Sequence, residues 1–266
     1  MKYETILLEK SGGIATITLN QPEKLNVFSH KMMDELLKVL SDIASDLNVR
    51  VVAFTATGRA FSAGVDIREH FVQSIEKRKK GELNIALQDF FSKKGVPAIM
   101  NLGKPIIAAI NGPAIGLGCT ICLACDLRIA SEKARLGLGF VRLGVTPEFG
   151  STYFLPRLIG ISKSLELLYT GRIVDAQEAR EIGLVNKVVP ADRLMDTTYE
   201  LAEGIAKAPA ISVRLIREGI YQGVDADLAT ALRWEHFAFN VCLSTNDHEE
   251  LVKAFLEKRE PRFKGK

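Results

Sequence analysis

The spacing of apolar and polar positions changes character along the chain. Ile6-Leu7-Leu8-Glu9-Lys10 leads into the turn Ser11-Gly12-Gly13, and Ile14-Ala15-Thr16-Ile17-Thr18-Leu19 alternates β-branched residues with others, which predicts two strands. Ser29 is a candidate cap, and behind it Met32, Met33, Leu36, Leu37 and Leu40 recur at helical spacing. Val51-Val52-Ala53-Phe54-Thr55 and Ile106-Ile107-Ala108-Ala109-Ile110 read as short buried strands, ending at Thr57-Gly58-Arg59 and Asn111-Gly112. Residues 105–125 carry no charge and are long enough for a membrane span, but Asn111-Gly112-Pro113, Gly116 and Gly118 break them. A buried strand, a tight turn and a buried helix fit better. Beyond Ala130, short strands such as Val185-Asn186-Lys187-Val188-Val189 alternate with helices. From about residue 193 the pattern is helical, interrupted at Pro209 and Gly223. An α/β core over 1–192 and an α-helical region over 193–266 are expected. Residues 70–94, with Lys77-Arg78-Lys79-Lys80, read as a solvated helix face or mobile loop.

Composition narrows the function classes. Of 266 residues, 47% are hydrophobic and 25% charged, the balance of a folded globule. A net charge of +3 is too small to suggest a nucleic-acid partner. The polar start Met1-Lys2-Tyr3-Glu4-Thr5 has no hydrophobic signal region, so a soluble cytoplasmic protein without a membrane partner is expected. Cys119, Cys122 and Cys125 are spaced like an iron–sulfur run, but Asp126-Leu127 stands where a further ligand would follow. In an apolar helix these cysteines read as small core residues, and no metal is assigned. His30, His70, His236 and His248 show no partner pattern and receive no role.

Two segments carry candidate chemistry: Ala63-Gly64-Val65-Asp66-Ile67 and Asn111-Gly112-Pro113-Ala114-Ile115-Gly116-Leu117-Gly118. Each reads as a strand running into a glycine-bearing turn and then a helix. Glycines let main chain approach a ligand, and two amides aimed at one point would stabilise a thioester enolate. A dinucleotide fingerprint fails on spacing, because no glycine stands at position 121.

Here the chain resembles a known family. Gln21-Pro22-Glu23-Lys24-Leu25-Asn26, Phe61-Ser62-Ala63-Gly64-Val65-Asp66-Ile67, Lys104-Pro105-Ile106-Ile107-Ala108-Ala109-Ile110-Asn111-Gly112, Cys125-Asp126-Leu127-Arg128-Ile129-Ala130 and Ala254-Phe255-Leu256-Glu257-Lys258-Arg259 are similar to motifs of the enoyl-CoA hydratase/isomerase (crotonase) superfamily. The resemblance implies a crotonase-like α/β spiral of ββα repeats with a C-terminal helical trimerisation region, assembled as a homotrimer or homohexamer. It implies an acyl-CoA thioester substrate and no cofactor, coenzyme A being part of the substrate. By motif position, Val65 and Leu117, beside Gly64 and Gly116, would supply the two polarising amides. Ala63, Asp66 and Ile67 would line the bent CoA, Lys24 would lie near its phosphates, and Phe255 and Lys258 would touch CoA.

The reaction is set by side chains that vary within the family. The typical hydratase carries two glutamates, at the positions held here by Thr120 and Phe140. One acid remains, Glu148 in Thr146-Pro147-Glu148-Phe149-Gly150, in a pattern that resembles Δ3,Δ2-enoyl-CoA isomerases of the peroxisomal type. A lone carboxylate can move a proton from the α-carbon to the γ-carbon in a dry site lined by Phe140, Pro147 and Phe149. The expected activity is therefore Δ3-to-Δ2 isomerisation, with Val65, Leu117 and Glu148 as the catalytic set. The alternatives are a hydratase or acyl-CoA hydrolase with unusual machinery, in which Glu148 activates water alone, and a non-catalytic acyl-CoA-binding homologue; Thr120 could hydrogen-bond a water or the substrate.

Overall fold

The structure is a computed structural model that describes residues 3–82 and 86–263. A six-stranded sheet has the order β1-β2-β3-β4-β6-β9. Its strands are β1 (Ile6–Ser11), β2 (Ile14–Leu19), β3 (Val51–Ala56), β4 (Ile106–Ile110), β6 (Leu127–Ser131) and β9 (Lys187–Val189). The first pair is antiparallel, as the two-glycine turn requires, and the later pairs are parallel. A second sheet, in the order β5-β7-β8, holds β5 (Pro113–Ile115), β7 (Arg135–Gly137) and β8 (Ile173–Asp175). The chain steps from β4 to β5, and again from β6 to β7, before each helical stretch. This is the ββα repeat expected above. A third rung has no full strand: Ser62 bridges Ala114 and Phe28 bridges Val65, which extends the second layer.

Burial follows from the sequence. The central strand β4 is apolar throughout, and its five residues are all buried. Helix His30–Ser45 is capped by the Ser29 hydroxyl, which accepts from the Met32 N–H, and buries Met32, Met33, Leu36, Val39, Leu40 and Ile43. On the opposite sheet face, helix Leu194–Ala206 packs Leu194 and Ala202 against Ile14, Val51, Ala53 and Ile107. Cys119, Cys122 and Cys125 are buried on helix Leu117–Leu123 and just beyond its end. The Cys122 thiol donates to the Gly118 carbonyl and the Cys125 thiol to the Ile121 carbonyl. Burial pushes the Cys119 and Cys125 thiols up to about 12, so neither presents a thiolate. Among the described residues no helix is long and apolar enough to cross a membrane.

Residues 70–94 depart from the sequence expectation. Lys77 to Lys80 are indeed on the outside or half-exposed, but His70 and Phe90 are buried. Phe90 and Phe91 pack against Phe149, with ring centroids 6.0 and 6.3 Å away. The aromatic pair sits beside polar neighbours, so a charge-based reading averaged it away. Residues 83–85 of this stretch lie outside the described residues.

The C-terminal helices are tied to the core by a largely buried ion pair. The Arg217 Nε–H donates to the Asp126 carboxylate at 2.8 Å, with side chains 8% and 15% exposed. Asp126 also accepts from the Ile106 N–H and the Tyr221 hydroxyl, while Arg217 donates to the Met100 and Ile99 carbonyls. Removing one member strands the other charge, at a cost of about 3–5 kcal/mol. Arg217→Met is expected to lower the unfolding free energy by about that amount in urea titration. Asp126→Asn added to it should restore part of the loss, because the amide oxygen still accepts from Ile106.

Candidate active site

The site begins with main chain. Gly64 has φ +98°, and a Cβ there would lie 2.9 Å from the Ile115 carbonyl oxygen and 3.7 Å from the Leu117 nitrogen. A Cβ on Gly118 would lie 2.6 Å from the Ser62 carbonyl oxygen. Only glycine lets the two segments run this close. The two amides singled out by motif thus belong to neighbouring backbone. Leu117 is the first residue of its helix, so its N–H is one of those a helix leaves without an internal acceptor. On the other segment, the Gly64 N–H donates to Ser62 Oγ and the Asp66 N–H to the Phe28 carbonyl, with the Val65 N–H between them in neither bond.

A buried polar rivet sets this geometry. Asn26 is fully buried with a left-handed backbone, φ +51°. Its side-chain amide donates to the Thr57 and Ala60 carbonyls, and its Oδ1 accepts from the Gln21 N–H. Its own carbonyl accepts from the Ser62 hydroxyl, which in turn accepts from the Gly64 N–H. The Gln21 to Asn26 motif therefore fixes the approach of the Gly64 segment rather than touching the cavity.

Glu148 faces the same space. A cavity of about 440 Å³ is lined by Ala63, Gly64, Val65, Ile67, Gly116, Leu117, Phe140, Pro147 and Glu148, all expected from the sequence. Phe71, Gln88, Phe91, Ile115, Gly139, Leu143, Val145 and Thr146 complete its wall. The Thr120 hydroxyl donates to Glu148 Oε1 at 2.9 Å, and Glu148 Oε2 is buried with no partner among the described residues. Burial pushes the Glu148 carboxyl up to about 8, against the Thr120 hydrogen bond, which favours the charged form. Among the described residues no cation offsets the burial, so the group is poised to take and release a proton near neutral pH.

Local structure aims this side chain. Phe149 is fully buried with φ +54°, and Gly150 follows with φ +72°. The Glu148 carbonyl accepts from the Ser151 N–H at 3.0 Å and the Ser151 hydroxyl at 2.6 Å, closing a turn at the start of helix Ser151–Ile159. Gly95 makes room for the Phe149 ring: a Cβ there would lie 2.7 Å from Cε2. The left-handed backbone costs on the order of 1–2 kcal/mol, held by this packing.

Not every candidate joins the cavity. Asp66 lies at its edge, where Oδ1 accepts from the Arg68 and Glu69 N–H groups. Thr120 contributes through Glu148. Lys24 is exposed at the end of the short turn Pro22–Lys24. Phe255 is 80% exposed on helix Asn246–Glu257, and exposed Lys258 follows that helix. None of these five lines the cavity within one chain. Phe71 and Phe91 were missed because a polar stretch surrounds them. Their signal was aromatic residues recurring inside a charged region.

The Enoyl-CoA hydratase/isomerase family profile matches residues 9–266. The chain is 40% identical to a short-chain-enoyl-CoA hydratase of Clostridium acetobutylicum, covering 97% of each chain. It is 36% identical to a crotonyl-CoA hydratase of Syntrophomonas wolfei over the full length of both. It superposes on the crystal structure of an enoyl-CoA hydratase from Bacillus anthracis with a TM-score of 0.92, at 39% identity over 99% of this chain and 100% of that one. These relatives carry hydratase names and not the name of the isomerase subgroup suggested by the Thr146-Pro147-Glu148 pattern.

The buried carboxyl makes stability depend on pH. The folded state keeps the Glu148 proton up to about 8, whereas an unfolded chain releases it near 4.5. Between those values the folded state holds more protons, so stability falls as pH rises. Urea unfolding is expected to show a loss of a few kcal/mol across that window, absent in Glu148→Gln. Thr120→Val, which removes the bond favouring the carboxylate, should extend the fall to higher pH.

Proposed function

The chain belongs to the enoyl-CoA hydratase/isomerase family and is an acyl-CoA enzyme of crotonase type; on that premise we propose that it moves the double bond of a 3-enoyl-CoA to the 2-position. The observation that carries this reading is a single buried carboxylate in the cavity wall, with Thr120 and Phe140 where the family's hydratases carry their two glutamates. With the thioester oxygen held by the Val65 and Leu117 amides, removal of an α-proton leaves a dienolate whose charge those amides stabilise. Glu148 Oε2 is the oxygen suited to receive that proton, because Oε1 is engaged by Thr120. The same oxygen returns the proton to the γ-carbon, and the double bond shifts without gain or loss of atoms. Phe71, Phe91 and Phe140 keep water from the dienolate.

Hydration of a 2-enoyl-CoA is the second reading, favoured by the names of the relatives. It assigns Glu148 to a bound water positioned with Thr120. Lys24, Asp66, Phe255 and Lys258 are proposed to reach CoA, the last two from a neighbouring subunit of a trimer or hexamer. Exposed Phe237, Phe239, Phe255 and Leu256 on the C-terminal helices support such an assembly.

Supplying the purified protein separately with 3-enoyl-CoA and 2-enoyl-CoA distinguishes the readings. Migration from 3-enoyl-CoA supports isomerisation; hydration without migration overturns it. Glu148→Gln is expected to lose about 10²-fold or more in turnover while ligand binding persists. For the wild type, kcat/KM for isomerisation should rise with pH through about 8, because the base is the deprotonated form.

A further inference from the structure

We propose that His30, Glu69 and His70 form a site for a divalent transition-metal ion of the zinc type, outside the acyl cavity. One ligand atom from each residue lies within 4.8 Å of the other two. His30 Nδ1 is 3.3 Å from Glu69 Oε2. Two donors on a tetrahedral zinc with bonds of about 2.0 Å stand about 3.3 Å apart, so this pair already has the required spacing.

His70 supplies the independent observation. Its ring is fully buried, and its Nε2 is 3.1 Å from the Phe28 carbonyl oxygen. A carbonyl only accepts, so Nε2 carries the hydrogen and Nδ1 keeps its lone pair. That Nδ1 is buried and has no partner among the described residues. A ligating histidine is typically held this way, its second nitrogen donating to a carbonyl that fixes tautomer and ring orientation. Burial also lowers the His70 pKa, which keeps the ring neutral as a ligand must be.

The other two ligands are placed for access. The His30 and Glu69 side chains are 46% and 40% exposed, so they can close on an ion arriving from solvent. The His30 and His70 rings are 4.4 Å apart. A histidine–carboxylate pair without an ion explains the His30–Glu69 contact but leaves the His70 lone pair unused. Two imidazoles and one carboxylate suit zinc, with water completing the shell.

The site bears on the acyl cavity through the main chain. The Phe28 carbonyl that orients His70 also accepts from the Asp66 N–H, and the Phe28 N–H donates to the Gly64 carbonyl. A bound ion would therefore join the start of helix His30–Ser45 to the segment carrying the Val65 amide.

The test uses the full-length, tag-free chain stripped with a chelator. Titration with Zn²⁺ against a chromophoric competitor is expected to show one ion bound per chain, and Co²⁺ to give the visible spectrum of a site with nitrogen and oxygen donors. His30→Ala and Glu69→Gln should each weaken Zn²⁺ binding about tenfold or more. Both side chains are exposed, so neither change disturbs the core. Zn²⁺ should raise the Tm of the wild type and leave that of the His30→Ala/Glu69→Gln double variant unchanged. Absence of stoichiometric binding, or binding undiminished in the double variant, overturns the proposal.

Discussion

The cavity depends on two stretches of main chain that run closer together than side chains permit. Gly64 meets the Ile115 carbonyl and Gly118 meets Ser62, each at a distance where a Cβ would collide. Their approach puts Val65 and Leu117 in the lining of a cavity that Glu148 also lines. The same approach explains why Asn26 and Ser62 are buried polar residues in an otherwise apolar core. They satisfy the carbonyls and amides that the two turns leave behind, which buried backbone requires.

Against that neutral scaffold the Glu148 carboxyl is an electrostatic liability. Its burial is opposed by one hydroxyl hydrogen bond and by no cation, so desolvation wins and the acid form is favoured up to about pH 8. Asp126 is the contrast within the same molecule. It is half-buried, and it has Arg217, Tyr221 and the Ile106 N–H around it. A carboxylate that serves only to hold structure is given partners. One aimed into a cavity with a free oxygen is held in a state that folding alone would not select, and such groups concentrate where protons are transferred.

Much of this was legible in the chain, and the parts that were not share a cause. The strands were readable because a doubly buried parallel strand must be continuously apolar, as Ile106 to Ile110 is. The glycine turns were readable as a backbone constraint, whereas assigning the two amides to Val65 and Leu117 came from the family resemblance. Glu148 stood out only within the family frame, since its place just before a helix fits a helix-start carboxylate equally well. Phe71, Phe91 and His70 were not, because burial of scattered residues in a charged region is decided by distant partners. Phe149, Gly95 and Phe28 provide those partners from elsewhere in the chain. The displacement of Lys24, Phe255 and Lys258 from the cavity has a similar origin. Their motif positions were assigned from the family resemblance, and none of them lines the cavity within one chain.

The relatives' names and the side chains of the site answer different questions. Identity near 40% over the whole length accompanies a shared fold, and one fold can serve several reactions that develop charge on a thioester oxygen. The step that follows enolate formation depends on which groups can deliver a proton or a water to the carbon chain. A hydratase needs a route for water to the β-carbon and a proton for the α-carbon. Here Phe71, Phe91 and Phe140 line the cavity, and Glu148 is the one carboxylate among its described lining residues. A proton removed and returned by the same oxygen needs no second acid and no water. On the proposed reading that economy suits a cavity lined by one carboxylate, and the choice of reaction would rest with Thr120, Phe140 and Glu148 rather than with the fold.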